Sequence, residues 1–178
     1  AVCLLDKLEE QGFTDEVYRL YQQSLAELAR LQVKGHQVID YRKCLTNAEF
    51  GKEAILSDLL YFKYYFLDAL ARPYDKQKLL NDFDALSNYL AHTEYKYFMF
   101  RDFQSRNIMV TPDNKVHFID YQGGMNGAPQ YDAASLLWQA KANLNDEWKR
   151  NLLDSYIASF ENIVGKPVNK ELFRNQYY

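Results

Sequence analysis

At 178 residues, 48% apolar and 25% charged, the chain suffices for one domain with a proper core and is too apolar to be disordered. A net charge of −3 without a basic stripe excludes nucleic acid as a natural partner. There is no signal peptide, no uncharged run near the ~20 residues that span a bilayer, and no C-x-x-C pair; Cys3 and Cys44 read as reduced thiols of a cytoplasmic protein.

In chain order, Thr14 is placed to cap a helix with Asp15 and Glu16 in its first turn. Val17, Tyr21, Leu25, Leu28 and Leu31 follow at helical spacing, and Gly35 stands where a terminating glycine is expected. Thr46 with Glu49 forms a capping box for a long helix ending before Arg72-Pro73. Its run AILSDLLYFKYYFLDAL, residues 54–70, carries Asp58, Lys63 and Asp68, which predicts a buried helix rather than a membrane span. Asp75 caps a third helix with Leu79, Phe83, Leu86 and Leu90 on one face.

The period then changes. Residues 95–100, 107–110 and 116–119 are short aromatic or β-branched runs, and Thr111-Pro112-Asp113-Asn114 is a turn between the last two. Helical spacing returns over 131–144, then from Asp146 to about Ile163, where Gly165 and Pro167 intervene before a last helix in NKELFRNQYY. The fold class expected is α+β, predominantly helical, with a small hairpin inserted between helices.

The stretch FMFRDFQSRNIMV, residues 98–110, sets Asp102 and Asn107 in a loop pinned by apolar runs at both ends. An Asp five residues before an Asn is weak evidence, and Asp146 with Asn151 shows the same spacing inside a helix. Context separates the two pairs. Asp102 follows a strand, Asn107 begins the next, and Asp120 ends a third, so a hairpin would bring Asn107 and Asp120 to one end with Asp102 above them. Two carboxylates and an amide oxygen are hard donors suited to Mg²⁺, whose remaining shell would come from water and phosphate. In phosphoryl transfer Asp102 suits the base and Asn107 and Asp120 the metal. The same residues could equally satisfy loop backbone groups and end a strand.

The order strand, R-D-x-x-x-x-N loop, hairpin, I-D resembles the carboxy-terminal lobe of protein-kinase-like phosphotransferases. It is similar to the aminoglycoside phosphotransferase and choline kinase group. FRDFQSRNIMV, FIDYQGG and GAPQYDAASLL resemble most closely the bacterial kinases acting on the anomeric hydroxyl of N-acetylmuramate and N-acetylglucosamine. The resemblance implies Asp102 as catalytic base, Asn107 and Asp120 as Mg²⁺ ligands, and Asp132 and Arg101 as structural support of the loop. Gln104 and Arg106 would touch phosphate or sugar, or remain solvated. Phe100 stands where the pattern has His, so packing must hold the loop; His36, His92 and His117 lie outside the motif.

Such kinases grip ATP under an amino-terminal lobe with a phosphate-covering loop and a Lys. This chain has neither, and it opens at Ala1-Val2-Cys3 without Met. Residues 1–178 are therefore expected to be one domain, the second lobe, inactive alone and needing its amino-terminal lobe as partner. The function expected is Mg²⁺-dependent transfer of the ATP γ-phosphate to a hydroxyl of a small-molecule acceptor, an amino sugar. The alternatives are a choline- or aminoglycoside-type kinase and a non-catalytic kinase-like binding module. Membrane-surface binding by residues 48–71 is disfavoured because their few charges are not predominantly basic.

Overall fold

The computed structural model describes residues 1–45, 47–71 and 73–178. The capping role read for Thr46 lies outside them. Short strand β1 (Val2–Cys3) leads into helix α1 (Leu4–Gln11), which buries Leu4, Leu5 and Leu8; neither element was expected. Helix α2 (Asp15–His36) starts as expected, with Thr14 Oγ1 accepting the Val17 amide. Gly35 does not terminate it. That residue sits in the last helical turn, where an added Cβ would meet the Phe98 ring at 3.4 Å, so glycine here admits a close neighbour.

Helix α6 (Asp146–Val164) lies against α2. Tyr21, Leu25 and Leu28 are buried with Leu152, Leu153, Tyr156, Ile157 and Phe160 in one cluster. Each such side chain removed from water contributes about 1.5–3 kcal/mol, so this helix pair is the foundation for everything above it. Asn145, rather than Asp146, caps α6, and left-handed Gly165 closes it. Helix α7 (Lys170–Tyr177), capped by Asn169, packs beside α5 (Gln130–Leu137). Helix α5 ends at Leu137 rather than 144, because turns with Asn143 at φ 43° follow.

The expected long helix starts later and is interrupted. Glu49 bridges to Asn126, helix α3 (Lys52–Phe62) begins after Gly51, and a π-helical turn follows over Lys63–Leu67. Burial was also the wrong expectation. Helix α3 packs on α4 (Lys76–Ala91) as a thin two-helix layer, in which only Ile55, Phe83 and Ser87 are buried. Among the described residues no third layer covers it, so Tyr61, Tyr64 and Tyr65 are 64%, 60% and 70% exposed, and Leu86 is exposed as well. Among the described residues no helix is long and apolar enough to cross a membrane.

Strand β2 (Tyr97–Met99) pairs antiparallel with β5 (Met125–Gly127), a strand the sequence did not reveal. Strands β3 (Ile108–Val110) and β4 (Val116–Phe118) form the expected hairpin, with β1 on its other edge. The strand before the loop thus belongs to a different sheet from the hairpin. The predominantly helical α+β class holds, with the small sheets carrying the polar loop.

Candidate active site

The loop begins where β2 runs out. Phe100 is buried, and its ring meets Phe103, Phe118 and Tyr121 at centroid distances of 5.8, 6.1 and 5.3 Å. Packing therefore occupies the place of the missing histidine. Arg101 and Asp102 then both adopt left-handed backbone, φ 61° and 48°, as does Asp120 at 60°. Such conformations cost about 1–3 kcal/mol each and persist only where surroundings impose them.

Asp132 supplies that constraint. Its carboxylate accepts the amides of Phe100 at 2.8 Å and Arg101 at 2.9 Å, and also Gln32 Nε2 at 3.0 Å. Gln32 is held in turn by Tyr156, whose hydroxyl donates to its Oε1 at 2.5 Å. Asp132 is fully buried, and burial pushes its pKa up to about 6 against the lowering effect of these bonds. Ser105 anchors the loop's other half, donating through N and Oγ to Gln139 Oε1 at 3.0 and 2.5 Å.

Asn107 closes a 3₁₀ turn, Ser105–Asn107, rather than opening a strand. Its Nδ2 donates to the Asp102 carbonyl at 3.0 Å, and its own carbonyl accepts the Ile119 amide at 3.0 Å. Asp102 and the residue before Asp120 are thus both tied to Asn107, which brings all three predicted residues to one end of the hairpin. With Nδ2 engaged, the amide oxygen of Asn107 remains the group available to a cation, and the carboxylate of Asp120, one residue beyond the Ile119 amide tied to Asn107, is exposed. One amide and one carboxylate oxygen suit Mg²⁺ that shares its shell with phosphates. Among the described residues no group of three or more His, Cys, Asp or Glu could hold a metal by itself.

Asp102 Oδ1 accepts Gln104 Nε2 at 2.7 Å, and Arg106 stands 3.9 Å from Oδ2. Both loop residues therefore face the carboxylate of Asp102. Arg101 reaches the other way, to Asp58 of α3 at 3.0 Å, with its guanidinium 5.1 Å from the Phe50 ring and 5.9 Å from that of Tyr131. Arg101, Asp102, Gln122, Gly123 and Tyr131 line a pocket of about 230 Å³. Asp58, Phe50, Tyr131, Gln32 and Gln139 were not singled out from sequence as site residues. Gln32 had a signal, a polar residue on the apolar face of Leu25 and Leu28; Gln139 had none.

His36 meets the Tyr41 hydroxyl at 3.0 Å, His92 the Asn88 carbonyl at 2.7 Å, and His117 is exposed, so none joins the loop. Cys3 and Cys44 are free thiols, and Cys3 Sγ accepts the Asp6 amide at the start of α1.

No curated protein matches the chain. Among solved structures it is similar to aminoglycoside phosphotransferase APH(3'')-Id from Streptomyces rimosus, in complex with ADP and streptomycin, with 18% identity and a TM-score of 0.58. The match covers 99% of this chain and 65% of that one, and identity this low speaks for the fold alone. The model of the APH family, described as the phosphotransferase enzyme family, matches residues 3–165, most of the chain and both halves of the loop-and-hairpin site. The chain therefore belongs to the phosphotransferase enzyme family.

Proposed function

We propose that residues 1–178 form the second lobe of a Mg²⁺-dependent kinase that transfers the γ-phosphate of ATP to a hydroxyl of a small molecule, an amino sugar. The observation that carries this reading is the double tie at Asn107, to the Asp102 carbonyl by side chain and to Ile119 by backbone. That tie supports three oxygen-bearing side chains working on one phosphate. ADP in the similar structure supports a nucleotide as donor; an amino-terminal lobe would grip it in this reading.

In this mechanism Asp102, held by Gln104, orients the acceptor hydroxyl and takes its proton. The hydroxyl oxygen bonds to the γ-phosphorus as the bond from that phosphorus to the oxygen retained by ADP breaks. Asn107 and Asp120 would hold Mg²⁺, which neutralises phosphate charge when bound. Arg106, exposed and 3.9 Å from the Asp102 carboxylate, would meet phosphate oxygens, while Asp132 and Arg101 keep the loop in its strained form.

Streptomycin in the similar structure favours a second reading, an aminoglycoside acceptor. Against it stands the sequence after the loop, which carries no dense acidic cluster of the kind a polycation would need. The test is steady-state kinetics of the intact protein with ATP, Mg²⁺ and amino sugars, choline or aminoglycosides. Amino sugars are expected to give the highest kcat/KM, and Asp102→Asn to lower kcat at least about a hundredfold. Activity of that variant within tenfold of the parent would overturn the assignment.

A further inference from the structure

Exposed apolar side chains concentrate at the end of α3 and on the π-helical turn that follows it. Tyr61, Phe62, Tyr64, Tyr65, Phe66 and Leu70 are each between 43% and 70% exposed. The rings are already gathered, Tyr61 with Tyr65 at a centroid distance of 4.3 Å and Phe62 stacked on Phe66 at 5.3 Å. Aromatic side chains of about 150–250 Å² each, exposed to this degree, present roughly 600 Å² of surface. The largest apolar patch of an ordinary monomer is about 300–600 Å². A standard interface takes about 800 Å² from each partner, about 56–65% of it apolar. The patch is thus large enough to form one side of a stable dimer.

Shape and charge narrow the occupant. Neighbouring positions of a helix point about 100° apart, so rings at 61, 62 and 64–66 stand around the turn as a ridge. A ridge packs into the groove of another helix, whereas a small molecule is held in a concavity. The π turn also joins two opposite charges five positions apart. The Asp68 amide donates to the Lys63 carbonyl at 2.9 Å, and Lys63 Nζ donates to Asp68 Oδ2 at 2.9 Å. The midpoint of this pair falls between Tyr65 and Phe66. An antiparallel second copy, crossing about a twofold axis there, sets Asp68 opposite Lys63 at both ends, Tyr65 opposite Phe66 and Tyr61 opposite Leu70. Such reciprocity is what an isologous contact demands. An anionic lipid surface would instead call for a basic cluster, and the Lys63–Asp68 pair is neutral.

We propose that this ridge is a dimer interface, occupied by the same ridge of a second copy packed antiparallel about a twofold axis between Tyr65 and Phe66. None of this depends on the phosphotransfer reading.

Sedimentation velocity of the intact protein tests it. The parent is expected to be dimeric at about 50 µM, since interfaces of this size bind at micromolar affinity or tighter. Tyr65→Glu, at a position exposed in the single copy, sets like charges across the axis. It is expected to weaken the dimer at least about a hundredfold while leaving the circular dichroism spectrum unchanged. Lys63→Glu leaves two negative charges on the ridge and Asp68→Lys two positive ones, so each variant alone is expected to be monomeric. Mixed in equal amounts they are expected to form a heterodimer, because opposite signs again meet at both ends. A parent monomeric at about 50 µM, a dimer unaffected by Tyr65→Glu, or charge variants that stay monomeric when mixed overturns the proposal. A monomeric parent that sediments with phosphatidylcholine vesicles assigns the ridge to a membrane surface and likewise overturns it.

Discussion

Replacing Asp132 by Asn exposes how the polar loop is held. The carboxylate accepts three N–H groups, from Phe100, Arg101 and Gln32, whereas an amide has one oxygen and must turn its NH₂ toward one of them. Leaving that donor unmet costs about 1–3 kcal/mol. Asp132 itself, however, is destabilising when ionised. Burial raises its pKa to about 6, while the unfolded chain titrates near the ordinary value of about 4. Between these values the folded state binds more protons, so stability falls as pH rises through the interval and is level above it. Two pK units correspond to about 3 kcal/mol. At pH 7 the variant escapes that burden and loses a hydrogen bond, which leaves the two proteins within about 2 kcal/mol of each other. At pH 4 the parent is relieved by protonation and the variant gains nothing, so the variant's deficit is expected to widen by about 3 kcal/mol. Urea titrations of both proteins at half-unit steps from pH 4 to 7 read this directly. A stability difference constant to about 0.5 kcal/mol, or a deficit that narrows on acidification, refutes the raised pKa and the account of the buried carboxylate.

Gly124→Ala places a Cβ 2.6 Å from the Tyr121 ring and 2.7 Å from that of Phe98, both of which pack on the loop's aromatic support. A loss of about 1–3 kcal/mol by chemical denaturation is expected, and an unchanged midpoint would show that the rings are free to withdraw. Asp58→Asn removes the half-exposed partner of Arg101 and is expected to cost under about 1 kcal/mol at low salt and less in 1 M NaCl. A salt-independent loss above about 2 kcal/mol would mean that the pair supports the fold, beyond orienting Arg101.

Local physics was legible in the residues. Thr14 capping α2, Asp75 capping α4 and the Thr111–Asn114 turn all involve partners two to four positions apart, so the sequence carries them almost complete. The polar loop belongs to the same class, since Asn107 reaches Asp102 across five residues. Length-dependent features went astray for an equally physical reason. An apolar run such as 54–70 reports how much surface wants cover, and not whether a second layer exists to provide it.

The sequence by itself therefore determined the helical core, the hairpin and the three side chains that the proposed reaction needs. Asp132 was expected as loop support from the resemblance; only the tertiary structure decided how the loop is held, with β5 returning to pair with β2, the Asp132 carboxylate accepting the amides of Phe100 and Arg101, and Asp58 of α3 catching Arg101. These contacts join residues 26 to 43 positions apart, where chain entropy opposes every pairing about equally. Which one forms is settled by the shared burial of the whole core, a property that no single stretch of chain possesses.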